Sequence, residues 1–355
     1  VITGTFNAEY GNAMSGVVNA VTKDGSNRYG GSFSTGFGEY VTGNSHIFLG
    51  LDQLVFNRNQ DYKFQLSGPI IKDKVFFFLN IRDQSNRNHL NGIRRYNVTD
   101  ISNYYSDNPL LWATQNTGDS SYVSMNRWYG SSVLGKLSFQ VLDGIRFSTL
   151  FSTDQDEVHG YDHGFKYNPD GMAAGYGKTN FFSFQWNHLL STNLFYDLKL
   201  STTENYSGGY LYKDPLDSNY VHDKYLESFG PGFYTGGQQK HHDERTVNSV
   251  NSKFDLNWIV NKNHSIKTGL NFTSYNIDNA WHQIRNKYFG TAEEADLYEP
   301  HILGDSTLYA DVYTVKPNEM SAFIQDKMEF LFPLNSVFYH KCFSHSFNFI
   351  CQSFI

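Results

Sequence analysis

The feature that most constrains this chain is a strict alternation of apolar and polar side chains over strand-length segments, which come in pairs joined by short turns. The clearest pair covers residues 179–201, with a turn at 190–193. Period two over this length indicates strands with two unlike faces. Three further pairs turn near 69–74, 142–144 and 261–264. The apolar members of the clearest pair are Phe182, Phe184, Trp186, Leu194, Tyr196, Leu198 and Leu200.

The connections between these strands alternate in length. The four turns are short, whereas the connections around 85–125, 155–178, 205–246 and 277–317 are long, polar and rich in Tyr, Asp, Asn and Gly. Outer-membrane β-barrels have short periplasmic turns and long extracellular loops, and compact soluble domains rarely hold several structureless loops longer than about 15 residues. With 30–38 and 318–330 included, we predict an all-β fold: about ten strands of a larger antiparallel transmembrane β-barrel. A soluble sandwich or propeller is the alternative, because its strands also alternate.

The cost of charge in lipid assigns the two faces of each strand. A Lys or Arg facing lipid at the bilayer midplane costs roughly 2–4 kcal/mol, and Asp or Glu somewhat less. We therefore expect Lys136, Arg146, Lys199 and Lys253 to point into the lumen. Asp326 fits this rule worst, because it falls in phase with apolar residues of its strand, and it is tolerable there only near the periplasmic rim.

Composition agrees with a barrel that has a watery interior. Aromatic residues make up 17% of the chain and there are 30 Gly, yet only 39% is hydrophobic, and the mean hydropathy is −0.49. The longest apolar run, Val75 to Leu79, has five residues, whereas a membrane-spanning helix needs roughly 20. A net charge of −7 provides no basic stripe, so we expect no nucleic acid partner.

No motif of enzyme, metal or cofactor chemistry stands out, and we predict no catalytic residue, no metal site and no cofactor. The segment Gly171 to Thr179 is similar to a P-loop, but its spacing is one residue too long and an alternating strand follows it, so we interpret it as a loop. His241 to Glu244 and the acidic run Asp154 to Glu157 are interpreted as solvated charge clusters rather than sites for a transition metal or calcium. Two interpretations stay open for a set of loop aromatics, which either stack on a ligand or pack within loops and the interface girdle. They are Tyr104, Tyr105, Trp112, Trp128, Tyr129, Tyr161 and Tyr167.

The segment from Phe6 to Lys23 resembles the end of the plug domain of TonB-dependent receptors. In that family a Tyr-Gly pair, a small-residue stretch, a Gly and an apolar-Asn-apolar-x-Thr-Lys strand lead into the first barrel strand, which would be 30–37 here. Strong β-propensity in Val17 to Thr22 and the freedom of glycine to turn agree with this interpretation. The residues that match the motif are Tyr10, Gly11, Gly16, Asn19, Thr22 and Lys23.

Two later segments strengthen the resemblance. Leu66 to Phe78 is similar to the hairpin of strands two and three in receptors that carry a carboxypeptidase-regulatory-like N-terminal domain, and Ser321 to Lys327 is similar to a mid-barrel strand of that group. The resemblance implies a 22-stranded barrel closed by a plug, which binds an extracellular ligand and imports it with energy from the TonB complex. Outer-membrane lipid, the TonB complex and a small ligand are the partners implied; the ligand is a siderophore, a cobalamin, a glycan or a peptide.

The sequence departs from the complete family pattern at both ends. No TonB box and no signal peptide precede Val1, so we interpret the chain as a fragment. From Leu331 onward the alternation weakens, glycine and acidic residues stop, and both cysteines appear, Cys342 and Cys351. We therefore expect residues 1–29 to be the end of a plug with its linker, 30–330 a partial barrel wall, and 331–355 an aberrant tail that packs poorly. A frameshifted or mispredicted gene end explains such a tail, and a genuine divergent end is the alternative.

Two other function classes remain beside a TonB-dependent receptor. A passive porin or adhesin-like barrel fits the strand pattern but not the plug-like N-terminal segment. An outer-membrane enzyme would need a positioned nucleophile or metal, and neither is evident in the sequence. We therefore expect a receptor and transporter that is not an enzyme, located in the bacterial outer membrane.

Overall fold

The computed structural model describes residues 2–3, 16–17, 21–52, 54–226, 232–329 and 342–353. One large antiparallel sheet dominates it, in which each strand pairs with the strands before and after it in the chain. We label its long strands β1 to β11. They are β1 Gly30–Gly38, β2 Asn59–Ile71, β3 Val75–Asn86, β4 Trp128–Leu142, β5 Ile145–Val158, β6 Ala174–Ser191, β7 Leu194–Tyr210, β8 His241–Ile259, β9 His264–Gln283, β10 Asn318–Glu329 and β11 Cys342–Ser353.

A twelfth strand, Ala310–Val315, pairs with the end of β9 and is followed by β10 on the same edge. Pro317 lies between the two, where a residue without a backbone N–H interrupts the ladder. Short strand pairs and single-turn 3₁₀ helices occupy the rest of the chain. The pairs are Ile2–Thr3 with Gly16–Val17, Asn91–Ile93 with Tyr122–Ser124, Ser102–Asn103 with Ala113–Thr114, and Arg285–Asn286 with Pro300–His301. The 3₁₀ helices are Pro109–Leu111, His163–Phe165, Pro169–Gly171 and Asp223–Tyr225.

The register confirms the two-faced strands that the sequence predicts. Asp197 pairs with Asp255, and Lys199 pairs with Lys253, while Leu198 between them pairs with Phe254. Alternation therefore separates a polar face, which we call the lumenal face, from an apolar outward face. Many large outward side chains, including Phe182 and Leu270, are solvent-exposed in the isolated chain, as expected of a surface that lipid covers. The ten strands expected before residue 330 are β1 to β10.

Two of the short turns show how neighbouring strands are joined. Asp73 at the β2–β3 turn has φ +62°, and Gly144 at the β4–β5 turn has φ +81°. The β2–β3 loop has three residues between Ile71 and Val75, and the β4–β5 loop has two between Leu142 and Ile145; short hairpin loops commonly place one residue in this left-handed conformation. Glycine adopts it without steric cost, and aspartate is among the residues that tolerate it best.

Asp326 lies on the outward face, as its phase predicts. It pairs with Ile266 in the register of β9 and β10, close to the turn end of both strands. The His264 Nδ1 atom lies 2.7 Å from the Asp326 Oδ2 atom. The carboxylate therefore has a polar partner on the same face, near the end of the strand where the cost of charge falls to about 0–1 kcal/mol.

The packed core of the described residues lies mainly in the long connections rather than in the sheet. Phe165, Tyr220 and Ile284 have at most 2% of their surface exposed, and Met125 has 3%. A sheet with lipid on one side and a wide lumen on the other encloses few side chains, so the extracellular loops bury more of theirs. Within the described residues no helix is long and apolar enough to cross a membrane.

The strands extend further than the sequence predicts. Segment 171–179, which we interpreted as a loop, contains the start of β6 at Ala174, so that interpretation is wrong for 174–179. Its residues pair on both sides, with β5 and with β7, and these long-range ladders override the glycine-rich local sequence.

The proposed tail is only partly described. β11 pairs with β10 along all twelve of its residues, from Cys342 opposite Glu329 to Ser353 opposite Asn318. This pairing is the observation that counts against an aberrant tail. Residues 330–341 and 354–355 lie outside the described residues, and the frameshift hypothesis stays a prediction.

The separation of faces predicts how the wall responds to a new charge. We expect Leu198→Lys on the outward face of β7 to destabilise the folded barrel by about 2–4 kcal/mol, because the cation would face lipid. Ser201→Lys in the same strand is the matched control, because its side chain points to the lumen. The measurement is a urea titration of the full-length protein in phospholipid vesicles. Equal loss of stability in the two variants would contradict the assignment of faces.

Candidate functional site

The first candidate site is the junction where the N-terminal segment meets the lumenal face of the wall. Asp24 is its centre. The Lys136 Nζ atom lies 2.7 Å from Asp24 Oδ1 and the Arg146 Nη2 atom lies 2.5 Å from Oδ2. The Ser138 hydroxyl donates a third contact to Oδ1 at 2.8 Å. We call these four residues the Asp24 anchor.

Strand geometry explains why the three partners converge. Lys136 and Ser138 are two residues apart in β4, so both side chains point to the lumenal face. Arg146 lies across the hairpin in β5, opposite Gln140. A single carboxylate reaching this face therefore meets two cations and a hydroxyl that the wall already holds in place.

The environment of the Asp24 anchor is partly shielded from water. Ser138 is 1% exposed, and the Lys136 side chain is 12% exposed. Burial acts to raise the pKa of Asp24, but the hydrogen bonds from Lys136 and Ser138 and the charges of Lys136 and Arg146 outweigh it. The pKa of Asp24 is therefore lowered, and the carboxylate stays ionised at neutral pH.

Residues after Asp24 continue along the hairpin of β2 and β3. A Cβ atom on Gly25 would lie 2.4 Å from the Phe77 carbonyl oxygen and 3.0 Å from that of Gly68, so only glycine fits this close approach. The Tyr29 hydroxyl donates to the Pro69 carbonyl at 2.8 Å, and the Asp73 N–H donates to the Asn27 side chain at 2.8 Å. The segment is thus fixed to the wall at Asp24, Asn27 and Tyr29 before β1 begins.

The structure describes three of the six motif residues that were predicted from the sequence: Gly16, Thr22 and Lys23. Thr22 belongs to the junction, because its carbonyl and hydroxyl oxygens each lie 3.4 Å from the Lys136 Nζ atom. Lys23 is exposed, and Gly16 pairs with Thr3 in a short strand pair. Tyr10, Gly11 and Asn19 lie outside the described residues. The anchoring residue Asp24 lies just outside the motif and was not predicted; its acidic charge directly after Thr-Lys was the available signal.

The second candidate site is the layer formed by the extracellular loops. Backbone hydrogen bonds join the β7–β8 loop to two others. The Gly237 N–H donates to the Val98 carbonyl of the β3–β4 loop, and the Tyr234 N–H donates to the Gly164 carbonyl of the β5–β6 loop, both at 2.8 Å. A fourth loop joins through the Ile284 N–H, which donates to the Lys240 carbonyl at 2.8 Å. The loops therefore form one packed layer above the sheet.

Buried polar side chains hold the loop layer together. The Asn168 side chain, 0% exposed, donates to the Gly237 carbonyl at 2.9 Å. The Gln238 side chain, 1% exposed, accepts from the Val221 N–H at 2.8 Å and donates to the Asn219 carbonyl at 3.1 Å. Buried amides of this kind fix backbone positions that lack a strand partner.

Lys240 joins two of the loops more directly. Its Nζ atom lies 2.7 Å from Asp223 Oδ1 and 4.2 Å from the centre of the Tyr298 ring. Burial lowers the pKa of Lys240, and the Asp223 carboxylate opposes that shift. An ion pair and a cation–π contact on one buried cation restrain both loops.

The structure also shows where the other sequence candidates lie. His241 to Glu244 belongs to β8, so alternate side chains of this run point to opposite faces. His242 is buried, stacks on Tyr210 at 4.9 Å, and lies 3.1 Å from the Lys213 carbonyl through Nε2. Of the loop aromatics, Tyr104 packs edge-on against Trp112 at 5.2 Å, which is loop packing. Among the described residues, no group of three or more His, Cys, Asp or Glu is arranged to hold a metal ion.

The chain is similar in sequence to one known transporter and in structure to another. The TonB-dependent transporter Oar of Myxococcus xanthus is 28% identical over 154 residues, which are 40% of this chain and 14% of that protein. The crystal structure of the outer membrane transporter YddB from Escherichia coli superposes with a TM-score of 0.55 and 10% identity, covering 98% of this chain and 43% of that one. No family model matches the chain. The chain thus spans less than half the length of either protein.

The fold is that of the wall of an outer-membrane transporter barrel. The alternating wall, its outward apolar face and the similarity to a TonB-dependent transporter place the protein in the outer membrane. Lipid of that membrane covers the apolar band of the outward face, which includes Leu137, Phe182 and Leu198.

The lowered pKa of Asp24 predicts a pH dependence of the junction. Its folded pKa lies below the usual aspartate value of 3.8, so the anchor contributes its full stability above that value and loses it as the pH falls through the lowered pKa. We expect a nitroxide attached to Val21→Cys to be immobile at neutral pH and to become mobile in that acidic range. Electron paramagnetic resonance of the full-length protein, with Cys342 and Cys351 replaced by Ser, measures this.

The variant Asp24→Asn should leave the label mobile at every pH, because the amide lacks the charge that holds Lys136 and Arg146. Asp143→Asn, in the β4–β5 turn, is the matched control and should behave as the parent. Identical label mobility in the parent and in Asp24→Asn at neutral pH would show that the anchor does not hold the segment. Circular dichroism at each pH confirms that the barrel persists.

Proposed function

We propose that the protein is a TonB-dependent outer-membrane receptor, which binds an extracellular ligand and imports it with energy from the TonB complex. Within it, residues 1–29 form the end of a plug and its linker, and residues 30–330 form part of the barrel wall. The receptor belongs, on this proposal, to the subgroup with a carboxypeptidase-regulatory-like N-terminal domain. It is a transporter and not an enzyme.

The observation that carries the proposal is the Asp24 anchor. A porin has no need of a charged segment fixed to its inner wall ahead of the first strand. A plugged receptor needs such a fixed point, because force applied to the plug has to be resisted by the wall if the plug is to rearrange. The anchor offers three charge-assisted contacts to one carboxylate, which are about twice as strong as neutral hydrogen bonds.

The loop layer supports the ligand-binding half of the proposal. Its loops are joined by buried side chains such as Asn168 and Gln238, so the layer has a defined shape rather than a set of independent loops. A preformed surface lowers the ordering cost of binding. The ligand is a small molecule of one of four classes: siderophore, cobalamin, glycan or peptide.

Uptake with the intact gene tests this proposal. Labelled ferric siderophores, cobalamin, oligosaccharides and peptides are supplied to cells with and without the gene, each with and without a protonophore. We expect one probe to accumulate in a gene-dependent and protonophore-sensitive manner. Deleting Val1 to Lys23 should abolish that accumulation while outer-membrane fractionation shows the barrel still inserted, because the energised segment is then missing.

The outcomes separate the alternatives. Accumulation that is gene-dependent but unaffected by the protonophore would favour a passive porin. Accumulation at the parental rate after the deletion would show that the segment has no part in transport. Replacing Val41 to Gly43, an exposed stretch of the β1–β2 connection, with three serines is the control for a general effect on insertion.

A further inference from the structure

The wall strands are longer than the membrane requires, and this leaves an outward surface above the lipid. A tilted transmembrane strand needs about 9–11 residues, whereas β4, β5 and β6 have 15, 14 and 18. At their extracellular ends Tyr129, Glu157 and Tyr176 face one another across three neighbouring strands. By strand alternation they share the outward face with Leu137 and Phe182, which lie closer to the turns. We call these three residues the outward row.

Two cavities adjoin at the outward row and share Glu157 and Tyr176. The first has a volume of about 330 Å³ and is closed by loop residues that include Met125, Met172 and Tyr212. The second has a volume of about 520 Å³ and adds Tyr129, Lys178 and Tyr206. We call the two adjoining cavities the groove, and their lining includes several tyrosine rings and carboxylates.

Within the described part of the chain, the polar groups in this groove leave one buried donor without a partner, although Arg127 Nη2 lies 3.6 Å from Glu157 Oε1 in an ion pair. The His159 Nε2 atom lies 2.6 Å from Glu157 Oε1 and 3.0 Å from Arg127 Nη2. Burial lowers the pKa of His159, so the ring is neutral at neutral pH. A neutral ring nitrogen either donates to Glu157 or accepts from Arg127, but it cannot do both. The buried donor without a hydrogen-bond partner among the described residues is the Arg127 Nε atom.

A ligand for this groove has to supply both acceptors and donors. An acceptor would satisfy the Arg127 Nε–H, which removes the cost of leaving that donor unpaired, and a donor would use the oxygen lone pairs of Glu157 that Arg127 and His159 leave free. A simple anion fits poorly, because Glu157, Asp83 and Asp170 line the same cavities. Hydroxyl groups both donate and accept, and the flat tyrosine faces suit the apolar C–H surfaces of a ring that carries them.

We propose that the groove at the outward row binds a saccharide. Its position outside the lumen separates it from any transported ligand, so this inference goes beyond the proposed transport function. Saccharide reaches this level of an outer membrane from two sources: the sugars of lipopolysaccharide in the surrounding outer leaflet, and soluble oligosaccharide outside the cell. The hydroxyl chemistry that the groove recognises is common to both.

Binding of three probes to the purified full-length protein in detergent tests the proposal. The probes are rough lipopolysaccharide, the core oligosaccharide released from it by mild acid, and maltohexaose. We expect the core oligosaccharide or maltohexaose to bind, as measured by isothermal titration calorimetry. Glu157→Gln and Tyr176→Ala should each weaken that binding about tenfold, which corresponds to about 1.4 kcal/mol.

Glu204→Gln is the matched control, because Glu204 is an exposed carboxylate on β7 outside both cavities, and it should bind as the parent does. Preference for the core oligosaccharide would identify lipopolysaccharide as the source, and preference for maltohexaose a soluble glycan. Absence of binding by all three probes would overturn the proposal. Binding of intact lipopolysaccharide alone, unaffected by Glu157→Gln, would also overturn it, because the acyl chains would then carry the affinity. Unchanged heat-modifiable gel mobility of each variant shows that the barrel is folded.

Discussion

Backbone hydrogen bonding between neighbouring strands is the constraint on which the rest of this structure depends. Inside a membrane no water satisfies the peptide groups, so each strand has to pair on both sides. β2 to β10 do so, with long ladders on each edge. Once the ladders are fixed, alternation decides where every side chain points. The lumenal cations, the outward apolar band and the outward row all follow from that register.

Strand length then creates the two regions above the membrane. Because β4 to β9 run beyond the apolar band, their ends stand in water and carry polar and tyrosine side chains such as Glu157 and Tyr176. The long connections start from these extracellular strand ends, and their side chains pack against one another rather than against the strands. This accounts for the concentration of buried residues, such as Phe165 and Tyr220, in the loop layer.

The sequence was sufficient to predict the wall, because alternation is local and the cost of charge in lipid fixes its phase. The lumenal side of Lys199 and Lys253, and the phase of Asp326 with the apolar residues of its strand, were both predicted from spacing, whereas the pairing of Lys199 with Lys253 was not. The Asp24 anchor was not, since Ser138 and Arg146 are more than a hundred residues away in the chain. No local pattern encodes such a contact. The strand start at Ala174 was missed for a related reason, because its neighbours in β5 and β7 outweigh its local glycines.

The two ends of the wall hold their partners by different physics. The loop layer combines neutral amide side chains such as Asn168 and Gln238, whose hydrogen bonds change little with salt, with ion pairs between loops such as Lys240–Asp223. The Asp24 anchor relies on a carboxylate between Lys136 and Arg146, whose strength depends on ionisation and on screening. A binding surface benefits from a constant shape, whereas a fixed point for a moving segment benefits from strong contacts that can be released. On the proposed function, the loop layer would present the binding surface and the Asp24 anchor would be the contact that is released when the N-terminal segment rearranges.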